Sequence, residues 1–565
     1  MSSEKAAAAS RILHHNLPMS TSASSADVAK TSWFPLAIVM LCQIQVSFNA
    51  FNVSIEGIVE DLGIPATSVG LALTTSTFAM AGFVLLGARV GAKIGPRRAL
   101  HIGMIGPTIA AVTISVTDQG WMLFAVQALN GATVALAAPA LTVVIASNYH
   151  GRQQGQAIGF LASAIPLAQV VSLLLAGALA SSVGWRWSFV LLSVIGIVNL
   201  LLIGRLAPIA AHPEVEIDWR GAALSSVGII LVSAAFSFLN AWGFFQATDQ
   251  APFDVAGLSP VPFLLIIGAV LIHAFFRSTR KRMDAGQPVL FSLDVLRSTR
   301  ERSIVACMAL MLFIGTATSF LLPLYMQVVQ GLSGFETSLS IVPYTLSIFV
   351  ANTQVSRLYD RFSPAAITRV SFVFVFLALT LLAFTIRNDW SQVSVVVGLV
   401  TLGLAQGCIV ALVFNKLLMS NPKELAGDVG AFRGLTHNIS GSVGIAVGTA
   451  IAVSLLGVIV AQNALNSPAF SPELVEQVNF DNVQFVTSDQ MVATLEERGA
   501  TPAEAEAAVE IYEDARLRAL RTTLMFLAAL SLLALVPAGK MPDFREPDLT
   551  EEDEEGLTLA TPRSG

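Results

Sequence analysis

Apolar residues along this chain run in long blocks instead of alternating with polar ones. Fourteen such runs stand at about 33–55, 69–91, 99–117, 121–148, 155–181, 186–206, 221–241, 259–277, 303–327, 337–355, 365–386, 391–415, 437–462 and 518–540. Each is near the ~20 apolar residues that a helix needs to cross a bilayer. Charged and turn-forming residues gather in the gaps. Gly and Pro interrupt several runs, which membrane helices tolerate because neighbouring helices satisfy the freed backbone groups. The pattern predicts an all-α membrane protein with fourteen spans.

Lys and Arg in the short gaps set the orientation. Gaps after even-numbered spans carry eighteen, among them Lys93, Arg97, Arg98, Arg277, Arg280, Arg357, Arg361 and Arg433, whereas short gaps after odd-numbered spans carry only Arg186 and Arg387. The even gaps and both termini are therefore expected in the cytoplasm, at a cell membrane of bacterial inner-membrane type, and the long segment before the last span is expected outside.

Composition agrees with the pattern. The 565 residues are 54% hydrophobic and 12% charged, against about 25% charged in a soluble protein, and mean hydropathy is +0.70. The net charge of −6 is unevenly spread. Asn463–Ala515 holds eleven acids and one base, and Met541–Gly565 eight acids and two bases. Those two segments carry −16, so the remainder carries +10. No basic footprint for nucleic acid is present. Residues 1–32, rich in Ala and Ser, read as a disordered cytoplasmic tail without a secretory apolar core. Cys42, Cys307 and Cys408 stand singly in apolar runs and read as small core residues. Walker, GxSxG and HExxH patterns are missing. An enzyme, a metal site and a cofactor are therefore not expected.

Local signals mark several boundaries. Asp218 is placed to cap the seventh span. Thr501-Pro502-Ala503-Glu504 spells a capping box with Pro at the first helical position, predicting a short surface helix to about Arg516 that leads into the last span. Gly441, Gly444 and Gly448 are spaced for close helix packing.

Between spans 2 and 3 the chain reads Ala88-Arg89-Val90-Gly91-Ala92-Lys93-Ile94-Gly95-Pro96-Arg97-Arg98, which resembles the major facilitator loop signature G-x-L-x-D-R-x-G-R-R. Between spans 10 and 11, Ser356-Arg357-Leu358-Tyr359-Asp360-Arg361-Phe362-Ser363-Pro364 looks like its second-half copy, as expected of a transporter built from repeats. Gly184-Trp185-Arg186-Trp187-Ser188-Phe189, Ile217-Asp218-Trp219-Arg220-Gly221 and Phe320-Leu321-Leu322-Pro323-Leu324-Tyr325-Met326-Gln327 narrow the resemblance to the fourteen-helix drug:proton antiporter branch. The resemblance implies the major facilitator fold: a six-helix bundle over 33–206, two extra helices and a linker over 207–302, and a second six-helix bundle over 303–540 that includes the acidic external loop 463–515, followed by an acidic tail over 541–565. It also implies a substrate cavity between the halves, lined by spans 1, 4, 9 and 12.

The family's usual charges are missing. The first-half loop carboxylate is replaced by Ala92, the acid of span 1 by Ser47, the Arg of span 4 by Gln127, and of the antiporter motif in span 5 only Pro166 survives. If span 1 is one helix, Gln45, Asn49, Asn52 and Glu56 fall on one face, which must meet protein or water. Glu56 then becomes the candidate titrating group. Gln127 with Asn130, and Gln406, are further candidates for binding a substrate or for bonding between helices. Lys93, Arg97, Arg357, Asp360 and Arg361 are expected to form a conformational latch at the cytoplasmic ends. The expectation is a secondary exporter of amphipathic small molecules or drugs, monomeric in the lipid bilayer, with protons as a candidate co-substrate. A uniporter or importer without proton coupling, and a transport-inactive sensor or assembly protein, stand as alternatives.

Overall fold

A computed structural model describes residues 32–541, apart from 49, 65, 150, 249–250, 331, 333, 360, 387–392, 423–424, 467–490 and 493–500. The chain falls into two units, Met1–Trp33 and Phe34–Gly565. The tails 1–31 and 542–565, and most of the predicted external loop, lie outside the described residues.

The second unit is a set of helices. In chain order these are α1 (Phe34–Ser47), α2 (Phe51–Leu62), α3 (Ala66–Ile94), α4 (Pro96–Val116), α5 (Gly120–Asn148), α6 (Gly151–Ser182), α7 (Arg186–Ile203), α8 (Trp219–Ser237), α9 (Pro260–Asp284), α10 (Thr299–Leu324), α11 (Gly334–Gln354), α12 (Pro364–Thr385), α13 (Val393–Met419), α14 (Ala426–Asn466) and α15 (Pro502–Leu533). Eleven helices among the described residues are long and apolar enough to cross a membrane. The other three predicted spans fall on α1 with α2, on α6 and on α11.

The helix starts obey local chemistry. Asp218 accepts from the Gly221 backbone N–H at 2.9 Å and caps α8. Ser259 and Ser363 cap α9 and α12, each followed by Pro at the first helical position, where its missing N–H costs nothing. Ser298–Glu301 and Thr501–Glu504 form complete capping boxes on α10 and α15. The predicted surface helix at Pro502 proves continuous with the last span as one helix, α15. The first backbone N–H groups of α1 have no intrahelical partner, and that of Leu36 donates to the Tyr149 hydroxyl at 3.1 Å, as an orphan helix-start donor requires.

Two expectations are corrected. The first predicted span is two helices, α1 and α2, broken between Ser47 and Phe51, so Gln45 stands on a different helix from Asn52 and Glu56. Arg433, expected in the gap before span 13, lies inside α14, which begins at Ala426.

Packing divides the helices into two sets. In the first, α3 and α4 pack on α5, and α4 on α7. In the second, α11 and α12 pack on α13, and α10 on α14. The halves meet along two seams, α6 on α11 and α14 on α3 and α5. The extra pair α8 and α9 packs on itself and reaches α3 and α14 through α8. Close approach in the first set depends on Gly131, whose missing Cβ leaves room for the Ser76 carbonyl of α3. On the α10–α14 seam, Gly441, Gly444 and Gly448 face Thr316, the Phe313 carbonyl and Ala317, which is the packing role read from their spacing. Cys42 and Cys307 are buried free thiols and Cys408 is half-buried.

Candidate functional site

A cavity of about 340 Å³ opens beside the α1–α2 break. Gln45, Ser47, Phe48 and Phe51 line it from the break, Ser76 from α3, Gln127 and Asn130 from α5, Gln169 from α6, Phe189 from α7 and Asn438 from α14. Among the described residues no ionisable side chain lines it. Amides and hydroxyls alternate with aromatic edges; Phe51 and Phe189 meet edge to face at 5.1 Å. A mostly apolar wall with a few placed polar groups suits an amphipathic small molecule.

The amides are held by neighbouring helices. Gln45 is buried, donates to Thr108 at 3.3 Å and accepts from Asn199 at 2.7 Å. Asn130 donates to Gln127 and to Ser76, both at 3.2 Å. The Asn130–Gln127 bond lies within α5, and the others join membrane helices at about 1 kcal/mol each. These groups therefore tie helices together and present fixed dipoles to the cavity at once. Gln406 is not brought to this cavity. It accepts from the Tyr344 hydroxyl at 2.6 Å inside the second half, and its amide nitrogen has no partner among the described residues. Asn49 lies outside the described residues, as do the side chains of Asn52 and Glu56.

Away from the α1–α2 break, at the end that carries the α3–α4 loop, the halves are bolted together. The Arg89 guanidinium of α3 meets the Asp428 carboxylate of α14 at 3.0 Å, with Asp428 only 4% exposed. Arg89 also donates to the Leu290 carbonyl at 2.7 Å. Phe291 stacks on Phe432 at 5.4 Å. Gly430 of α14 sits against Thr142 of α5, and Gly159 of α6 against the Asn352 carbonyl of α11.

Of the expected latch residues, Arg97 donates to the Gly204 carbonyl at the end of α7, a bond within the first half. Lys93, Arg357 and Arg361 are exposed, and Asp360 lies outside the described residues. Sequence reasoning missed Arg89 and Asp428 as the joining pair. Arg89 stands in the loop signature, but its partner is 339 residues away.

At the opposite end the charges act within one half. Arg186 reaches Asp118 at 2.9 Å, Asp61 at 3.4 Å and the Thr117 carbonyl at 2.7 Å. Trp185 donates to Asp61 at 2.8 Å. In the second half, Arg521 donates to the Ile386 carbonyl at 2.6 Å.

Comparison with known proteins agrees with this architecture. The proton:xylose symporter XylE has the same fold, with a TM-score of 0.56 at 12% identity over 93% of this chain and 98% of that one. The uncharacterized MFS-type transporter Rv1250 of Mycobacterium tuberculosis is 25% identical over 66% of this chain, and the aligned region spans 62% of that relative's length. The probable actinorhodin transporter of Streptomyces coelicolor is 25% identical over 75% of this chain and 73% of its own. These are transporters and not enzymes. Residues 36–445 match the Major Facilitator Superfamily, and with both seams and the cavity in place the chain belongs to that family of membrane transporters.

Proposed function

We propose that the chain is a secondary active exporter of amphipathic organic compounds, working by alternating access. The observation that carries this reading is the aromatic- and amide-lined cavity lying beyond an end that is sealed across the halves by Arg89 and Asp428. A binding space with the halves joined at one end of it is one station of such a cycle. The name of the actinorhodin transporter supports an organic cargo.

On this reading the sealed end is cytoplasmic, because the Lys- and Arg-rich gaps fall there. The chain then has fourteen spans, counting α1 with α2, α6 and α11, and works as a monomer with both termini inside and residues 463–515 outside. Asn49, Asn52 and Glu56 join Gln45, Gln127 and Asn130 around the cavity. Gln406 acts on it through Tyr344. Lys93, Arg97, Arg357, Asp360 and Arg361 complete the closure that Arg89 and Asp428 begin. If protons drive export, Glu56 is the carboxylate that must neutralise within the cycle.

The test is efflux from liposomes holding the purified chain, over a panel of amphipathic dyes, with and without an imposed pH gradient. Accumulation against a dye gradient only when the pH gradient is present is the expected result. Glu56→Gln should keep downhill exchange and lose that response. Downhill movement that ignores pH makes the chain a uniporter. No movement of any dye makes it a sensor or assembly protein.

A further inference from the structure

Arg433 and His437 take no part in the seal or in the lining of the cavity. They stand one turn apart on α14. The guanidinium lies over the Phe414 ring of α13, 4.6 Å from its centroid. His437 is exposed, although its neighbours Thr436 and Asn438 are each only 8% exposed and α14 is packed by helices of both halves. On the helical wheel His437 falls between Gly430, which meets Thr142 of α5, and Gly444, which meets Thr316 of α10, and Arg433 lies about 20° beyond Gly444. His437 therefore faces the seam between the halves, Arg433 lies at the α13 side of it over Phe414, and Asn438 of the same helix lines the cavity.

The charge around them is one-sided. α1 and α5 hold no Asp, Glu, Lys, Arg or His, α13 holds only Lys416, α6 only Arg152, and α10 is charged only at its first turn. Asp428, the one acid of α14, is committed to Arg89. Among the described residues no carboxylate lies within ion-pair distance of Arg433, which is half-buried. A charge held this deep without a counter-ion is costly, and an aromatic face returns only part of the cost. A guanidinium offers paired donors matched to a carboxylate or sulfonate, and a histidine ring offers at least one N–H in either tautomer.

We propose that Arg433, assisted by His437, receives the anionic group of the cargo, so that the substrates are amphipathic organic anions. The amides and aromatic edges of the cavity then hold the neutral body of the same molecule. This rests on the export reading and names its substrate class.

Two dyes with one xanthene skeleton and opposite charge separate the cases: carboxyfluorescein as anion and rhodamine 123 as cation. Binding to the purified full chain is read by fluorescence polarisation. Carboxyfluorescein should bind at least about 10-fold more tightly than rhodamine 123, in line with one charge-assisted contact. Arg433→Gln should weaken the anion about 10-fold or more and leave the cation within a small factor, while Arg433→Lys restores part of the preference. The wild-type comparison needs no variant to fold. No preference, a preference for the cation, or an equal loss for both dyes in Arg433→Gln overturns the proposal. Export of rhodamine 123 without anion preference removes this site and keeps the exporter. Anion binding that depends on Arg433, with neither dye transported, keeps the site and removes the exporter.

Discussion

The two ends of the molecule use charge in opposite ways. At the sealed end Arg89 and Asp428 join helices of different halves, buried and reinforced by the Phe291–Phe432 stack. At the other end Arg186 bridges Asp61 and Asp118 within the first half, and those carboxylates are 50% and 87% exposed. An exposed pair is worth little, about 0–1 kcal/mol. A buried pair is costly to break from one side, because the remaining charge is left without a partner. The first kind shapes a half; the second decides whether two halves stay together. On the alternating-access reading, the conformational choice is then made at the sealed end.

The hardest test of that contrast is to make the seal permanent. A Cβ on Gly430 would stand 3.1 Å from the Thr142 Cβ, so the helices need part only by a few tenths of an ångström to reach the ~3.5–4.5 Å of a disulfide. Thr142→Cys with Gly430→Cys should cross-link on oxidation, reduce transport to background and recover on reduction. Full transport by the cross-linked protein would show that this end need not open.

A smaller effect is expected from Asp428→Asn, which leaves Arg89 unpaired. Arg89 is 20% exposed, so water offsets part of the loss, and a cost of about 2 kcal/mol remains of the ~3–5 typical of a fully buried pair. That shifts the closed-to-open ratio by about 30-fold. A single cysteine at Thr142, labelled by an impermeant thiol reagent, should react faster in the Asp428→Asn background. Cys42 and Cys307 are buried, and the half-buried Cys408 is replaced by Ser in both backgrounds so that only the introduced thiol reports. Unchanged labelling would mean that apolar packing alone holds the seal.

What could be read from the sequence divides along the same line. Features made by neighbours in the chain were legible: the Asp218 cap, the Thr501–Glu504 box and the glycine ladder of α14 all stand where local chemistry puts them. The family and the fold were legible from the order of apolar runs and loop motifs. The α1–α2 break was not, because neither Gly nor Pro marks the chain from Ser47 to Phe51. The Arg89–Asp428 pair was not, because nothing in local spacing links two residues so far apart. Arg433 was misplaced for a related reason. A basic residue near a gap reads as a topology marker, yet here the Phe414 face accommodates it inside the helix. Of the cavity residues, Gln45, Gln127 and Asn130 were found because a polar side chain within an apolar run needs a partner. Ser76 and Asn438 were missed because each stands in a short polar run, Thr74–Thr77 and Thr436–Asn438, that does not single out one residue, and Gln169 because it is a lone polar position.

The smallest effect should come from Arg186→Ala at the unsealed end. The side chain is 28% exposed and its acidic partners more so, so the ion pairs contribute little. The bond to the Thr117 carbonyl at 2.7 Å also satisfies a helix-end acceptor of α4, which the alanine would return to water. The expected loss is about 1 kcal/mol or less, read as a small drop in the thermal midpoint of the purified chain. Because every partner of Arg186 lies in the first half, the change should not alter the balance between the halves. Labelling of a cysteine at Thr142 should therefore proceed at the wild-type rate in the Arg186→Ala background. A faster rate would show that this cluster also bears on the seal, and the division of labour between the two ends would fall.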